Sequence, residues 1–167
     1  MVGWVGDKPT DLSCHLFADA DFAGCTQTQR STSGSHFFIR GLITCFPLAG
    51  HSKHQTCVSH STPEAEIVAA DAAARTCGIP ALILWSVILA HVKCIYFHED
   101  SQAMIQMMET GKNPTMRYMG RAHRTDVANL HEIFAGSEFI LAYGAFTKMA
   151  ADIYTKAFLL TRTNGGL

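Results

Sequence analysis

A chain of 167 residues that is 48% hydrophobic, with mean hydropathy +0.11 and net charge −1, can bury one core and is too apolar to stay disordered. It has no polycationic surplus, so any contact with nucleic acid must come from local geometry. The six cysteines, at 14, 25, 45, 57, 77 and 94, form no CxxC pair, and "MVGWVGDKPTDL" lacks the cationic start and apolar stretch of a secretory signal.

No repeat or linker divides the chain, which reads as one domain over 1–167 with its core at about 15–160. "SCHLFADADFAG" is a strand that ends at Asp19 or Asp21 and turns at Gly24. "SGSHFFIRG" and "LITCFPLAG" are apolar runs stopped by glycines, and "HQTCVSHS" alternates, so three antiparallel strands are expected. Helices follow at about 63–76 and 79–90. The second contains the longest apolar run, "IPALILWSVILA", at 12 residues shorter than the ~20 that cross a bilayer, so no membrane association is expected. "HVKCIYFHED" is a strand finishing in acid, and "SQAMIQMMETG" is a short helix with core methionines at 104, 107 and 108. "RTDVANLHEIFAG" is a helix, "EFILAY" a last strand, and "TKMAADIYTKAF" a last helix with Thr147 as a candidate N-cap. The order β-β-β-α-α-β-α-α-β-α predicts an α/β fold, a mixed sheet flanked by helices.

The first long helix opens "HSTPEAEIVAADAA" and carries two carboxylates in succession. Ser61 or Thr62 can cap it, Pro63 suits its first turn, and Ser61-x-x-Glu64 fits a capping box. Glu66 has no such explanation. It lies roughly 200° around the helix from Glu64, on the small apolar stripe of Ala69, Ala70 and Ala73, where a carboxylate is costly unless a cation meets it. Asp19 closes a strand, Asp100 closes another, and Asp152 starts a helix, which are the places where α/β folds gather ligands. Singly, each acid also has a structural reading: Asp19 or Asp21 as a turn residue, Asp100 as an N-cap, Asp152 as the i,i+4 partner of Lys156. Four acids converging on one sheet edge would repel one another unless divalent cations neutralised them, and an all-oxygen set suits Mg²⁺ or Mn²⁺.

The blocks "FADADFAG", "RSTSG", "SKHQTCVSHSTPEAEIVAA", "HEDSQA" and "MAADIYTKAF" resemble the RNase H domain of copia-type retrotransposon polyproteins, in the same order and over residues 15 to 160. The resemblance implies an RNase H-like fold with a five-stranded mixed sheet, three strands antiparallel and then parallel ones, flanked by helices. It implies a catalytic and metal-binding quartet of Asp19, Glu66, Asp100 and Asp152 holding two Mg²⁺ or Mn²⁺ ions, which cleaves the RNA strand of RNA–DNA hybrids. It also implies substrate contacts at Arg30, Ser31, Ser33, Gln102 and Lys156, the "RSTSG" block forming a turn, and a reverse transcriptase domain on the same polyprotein. An intracellular setting, cytoplasm or virus-like particle, follows from the same likeness. Asp21 and Glu99 stand beside matched acids without matching a ligand position. Gly50 replaces the family's usual tryptophan, and 121–134 has fewer basic and aromatic residues than the family's segment.

Other signals fall away. His131-Glu132 begins like HExxH, but Ala135 stands where the second histidine belongs; His51-x-x-His54 has no ligand partner nearby; and no phosphate-binding glycine motif supports a small-molecule cofactor. Two rival functions remain open: a non-catalytic remnant kept as a scaffold for a polymerase domain, and a metal-dependent phosphoesterase acting on DNA.

Overall fold

The computed structural model describes residues 3–88, 94–111, 123, 125, 127–143 and 150–156. β1 (Ser13–Asp21) is buried along most of its length on both sides, as the centre of a sheet must be. β2 (Thr32–Arg40) and β3 (Cys45–His54) continue antiparallel from it; β4 (Ile95–Glu99) lies parallel on its other side, and β5 (Phe139–Tyr143) parallel to β4. The strand order is β3-β2-β1-β4-β5, a five-stranded mixed sheet. The β2–β3 register shifts at Phe37/Phe38, opposite Pro47, whose missing N–H suits a bulge.

Two strand and turn expectations are corrected. The "HQTCVSHS" segment is no strand beyond His54, because Gln55 ties it inward: its side-chain amide donates to Ser33 Oγ at 3.0 Å and Ala65 O at 2.9 Å, and Ser59 Oγ donates to its carbonyl at 2.9 Å. In "RSTSG", Thr32, Ser33 and Gly34 belong to β2, and Arg30 and Ser31 precede it.

The two expected helices also join. α1 (Thr62–Ala73) runs through a π turn (Ala74–Gly78) into α2 (Ile79–Ile88) with helical backbone at both junctions. Gly78 does not break the helix; it lets the helix touch the sheet, since a Cβ there would come 2.7 Å from the Phe139 ring. The joined rod, Thr62–Ile88, is 27 residues and by length and composition alone apolar enough to cross a membrane; the 12-residue run supplies its second part. Half of its most apolar window is buried inside the protein, packed on β1 and β2.

α3 (Gln102–Thr110) is capped by Ser101, whose Oγ accepts from Met104 N, and stopped by Gly111 at φ +64. α4 (Val127–Ala135) packs against it, and α5 (Asp152–Thr155) lies on the opposite face of the sheet beside Phe17 and Phe38. Leu16, Ile67, Ile95, Phe97, Met104, Met108 and Leu130 form the dry centre between the sheet and α1–α4. The proposed cap Thr147 lies outside the described residues.

Candidate metal centre

Because β1 and β4 are parallel neighbours, their C-terminal ends emerge side by side. Asp19 sits near the end of β1, and Asp100 directly follows β4. α1 reaches the same edge because Ala65 and Ala69 pack on Ala20; side chains this small bring the helix close to β1 and carry Glu66 with it. Asp19, Glu66 and Asp100 each offer a carboxylate oxygen, and these atoms lie within 4.8 Å of one another. Asp19 and Glu66 are buried.

Three desolvated carboxylates this close resist ionisation. Burial, then the charges of Glu99, Asp19 and Asp100, push Glu66 up to about 10. Burial raises Asp19, opposed by a hydrogen bond from Thr155, and burial followed by the charge of Asp152 raises Asp100. Among the described residues, Glu66 Oε2 is buried with no hydrogen-bond partner. A buried oxygen without a donor is costly, and a hard cation is the partner this oxygen-only set fits.

Asp152 stands apart from the three. It opens α5, is near enough for its charge to raise Asp19 and Asp100, but lies outside the 4.8 Å group. Its Oδ2 accepts from Lys156 Nζ, while its Oδ1 is buried without a partner among the described residues.

Of the expected substrate contacts, Ser31 is fully buried, and its Oγ accepts from Ala23 N at 3.2 Å, across the β1–β2 turn. Ser33 Oγ accepts from Gln55. Arg30, Gln102 and Lys156 are exposed, with Lys156 held by Asp152. A cleft beside the acids is lined by Asp21, Thr32, His54, Tyr154, Thr155 and Lys156. Gly50 has its own reason: a Cβ there would meet Tyr154, whose ring covers this part of β3 and whose hydroxyl bonds His36 Nδ1 at 3.1 Å.

Glu64 does more than cap. Ser61 Oγ accepts from Glu64 N at 3.3 Å, but the Glu64 side chain passes Ser61 and accepts from His60 N at 2.8 Å, its other oxygen meeting His123 Nε2 at 2.8 Å. Both side chains of the Glu64–His123 pair are fully buried, and no local pattern could have announced a pairing across 59 positions. Glu99 is the other residue that sequence reasoning passed over. It is fully buried, its Oε1 accepts from Ser101 N, its Oε2 has no partner among the described residues, and burial drives it above the usual carboxylate range. The doubled acid in "HED" was its signal.

Solved structures share this arrangement of strands and helices. LC11-RNase H1 in complex with an RNA/DNA hybrid superposes at TM-score 0.52 with 15% identity, over 86% of this chain and 94% of that one. The N-terminal RNase H domain of a Mycobacterium tuberculosis protein gives 0.52 and 13%, over 86% and 91%. The chain has the RNase H fold. A further LC11-RNase H1 structure, isolated from compost, gives TM-score 0.51 and 16% identity over 86% and 92%. In sequence, the uncharacterized mitochondrial protein AtMg00810 of Arabidopsis thaliana is 39% identical over 59 residues, 35% of this chain. The match spans 23% of that protein's length. No family model matches.

Proposed function

We propose that the chain is a metal-dependent endoribonuclease that hydrolyses the RNA strand of RNA–DNA hybrids during retrotransposon reverse transcription. The observation that carries this reading is the convergence of Asp19, Glu66 and Asp100 on an RNase H fold, with Glu66 Oε2 buried and without a hydrogen-bond partner among the described residues. The copia-type blocks add the source, a polyprotein that also carries a reverse transcriptase domain, and an intracellular setting in cytoplasm or virus-like particle. Asp19, Glu66 and Asp100 would hold divalent ions, Mg²⁺ or Mn²⁺, with Asp152 joining them once Lys156 releases its Oδ2. A pair of such ions supplies charge that favours both the attacking water and the leaving 3′-oxygen. The chain's residues fix where that charge sits: strand ends hold the aspartates and helix α1 holds Glu66, so little reorganisation is needed at the moment of reaction. RNA would be told from DNA by its 2′-hydroxyls and the shape of the hybrid.

One observation favours the scaffold reading. Asp152 sits outside the three-acid group and is tied to Lys156, as a centre losing its fourth ligand would be. Cleavage of hybrid, duplex DNA and duplex RNA with Mn²⁺ separates the readings. Wild type should cut only the hybrid's RNA strand, and Asp100→Asn should abolish cutting while keeping hybrid affinity. Wild type that binds hybrid without cutting it would support the scaffold, and cutting of duplex DNA would support the phosphoesterase.

A further inference from the structure

The geometry points to Thr155 as a positioning residue of the metal centre, seated there by Gly34. This inference rests on the metal-centre reading above and names what sets its Asp19 arm. Thr155 is buried in α5 and its Oγ1 donates to Asp19 Oδ2, joining residues 136 positions apart. The same hydroxyl lies 3.2 Å from the carbonyl of Asp152, an alternative acceptor within its own helix. The charged acceptor is the stronger one, so the proton goes to Asp19. Donation to Oδ2 fixes the rotation of the Asp19 carboxylate and leaves its second oxygen for an ion, the role that outer-sphere donors play for ligating carboxylates.

Thr155 can reach Asp19 because of what is missing beside it. Gly34 is the cross-strand partner of Asp19 in the β1–β2 register. A Cβ at position 34 would lie 2.6 Å from Thr155 Cγ2 and 2.9 Å from the Ala151 carbonyl, the second of these being backbone that cannot swing away. The bare strand therefore lets α5 descend onto β2 until Thr155 stands over Asp19. Two sites distant in sequence, the glycine of "RSTSG" and the threonine of "DIYTK", thus act on one carboxylate.

The test measures Mn²⁺ binding by the free-ion electron paramagnetic resonance signal, with metal-free melting followed in parallel. Thr155→Val keeps the shape and removes the donor; it should weaken Mn²⁺ binding about tenfold or more. Thr155→Ser, which restores the hydroxyl, should return affinity to within about threefold of wild type. Gly34→Ala leaves Thr155 intact but lifts α5, and should reproduce the Val defect. Thr155→Ala repeats the measurement without a branched side chain should the Val variant not fold. Binding by Thr155→Val or Thr155→Ala within twofold of wild type overturns the inference and leaves the metal centre standing. A Ser variant as weak as Val overturns it also, since the hydroxyl would then be irrelevant. Wild type that takes up no Mn²⁺ overturns both this inference and the proposed function.

Discussion

Glu66→Gln offers a direct view of the strain in the acid cluster. In chelator, the wild-type carboxyl is held protonated well past neutrality, with its value pushed up to about 10, whereas in the unfolded chain it ionises near its ordinary value of 4.5. Between those limits the folded state carries one proton more than the unfolded state, so stability falls as pH rises. It is undiminished below about pH 4.5 and lost progressively toward the folded value. Each pH unit costs about 1.4 kcal/mol, so from pH 6 to 8 wild type should lose on the order of 3 kcal/mol that the glutamine variant keeps. In a chain of this size that is a relative shift of about 5–10 °C in melting temperature. Thermal melts of both proteins in EDTA at pH 6, 7 and 8 read it as a difference, which cancels titrations the two share. Saturating Mn²⁺ should remove the wild-type decline, because an ion that binds only the folded state displaces the proton and stabilises by mass action. Parallel wild-type and variant curves across that range in EDTA would refute the account of Glu66 as a desolvated, repelled carboxyl.

The acid limb has another source. His15, His36 and His98 are held below the ordinary imidazole range, chiefly by burial, His15 down to about 4. Their folded forms bind fewer protons than the unfolded chain, so stability is lost as pH falls below about 6.5; His15→Phe, stacking in the same place against Phe38, should flatten that loss in acid melts. Gly78→Ala forces a Cβ to 2.7 Å from the Phe139 ring and should cost about 1–3 kcal/mol in urea unfolding. His123→Ala leaves Glu64 buried without its imidazole partner and should cost about 3–5 kcal/mol, more than most single substitutions, in the same assay.

How far the sequence could be read depended on whether the deciding interaction was local. Glu66 was separable from Glu64 because helix angle and capping chemistry are matters of a few residues. The mixed sheet followed from apolar runs and turn residues, and the Asp152–Lys156 tie from i,i+4 spacing. What stayed hidden was decided across the fold. Gly78 and Pro80 look like a helix break until Phe139 and Leu16 are seen to need the space over Gly78. Ser31 looks like a surface hydroxyl until Ala23 N is found beneath it. Glu99 is one of two adjacent acids at a strand end, and only its buried place at the end of β4 shows that it joins the electrostatics of Glu66.

The π turn at Ala74–Gly78 makes the long helix a phase shifter. Upstream, Ala65, Ala69 and Ala70 present a small-residue face to the sheet; downstream, Ala81, Leu82 and Trp85 pack inward while Ile83, Leu84, Val87 and Ile88 face out. A π turn takes in one residue more than an α turn, and this extra residue is what lines the inward face of α2 up with that of α1. Tightening the turn to α at full length would rotate α2 by about 100° against a fixed α1, swinging Trp85 toward water and turning aliphatic side chains now outside inward. A single-codon deletion within the turn would instead leave a continuous α-helix with both faces still aligned, however drastic it looks on paper.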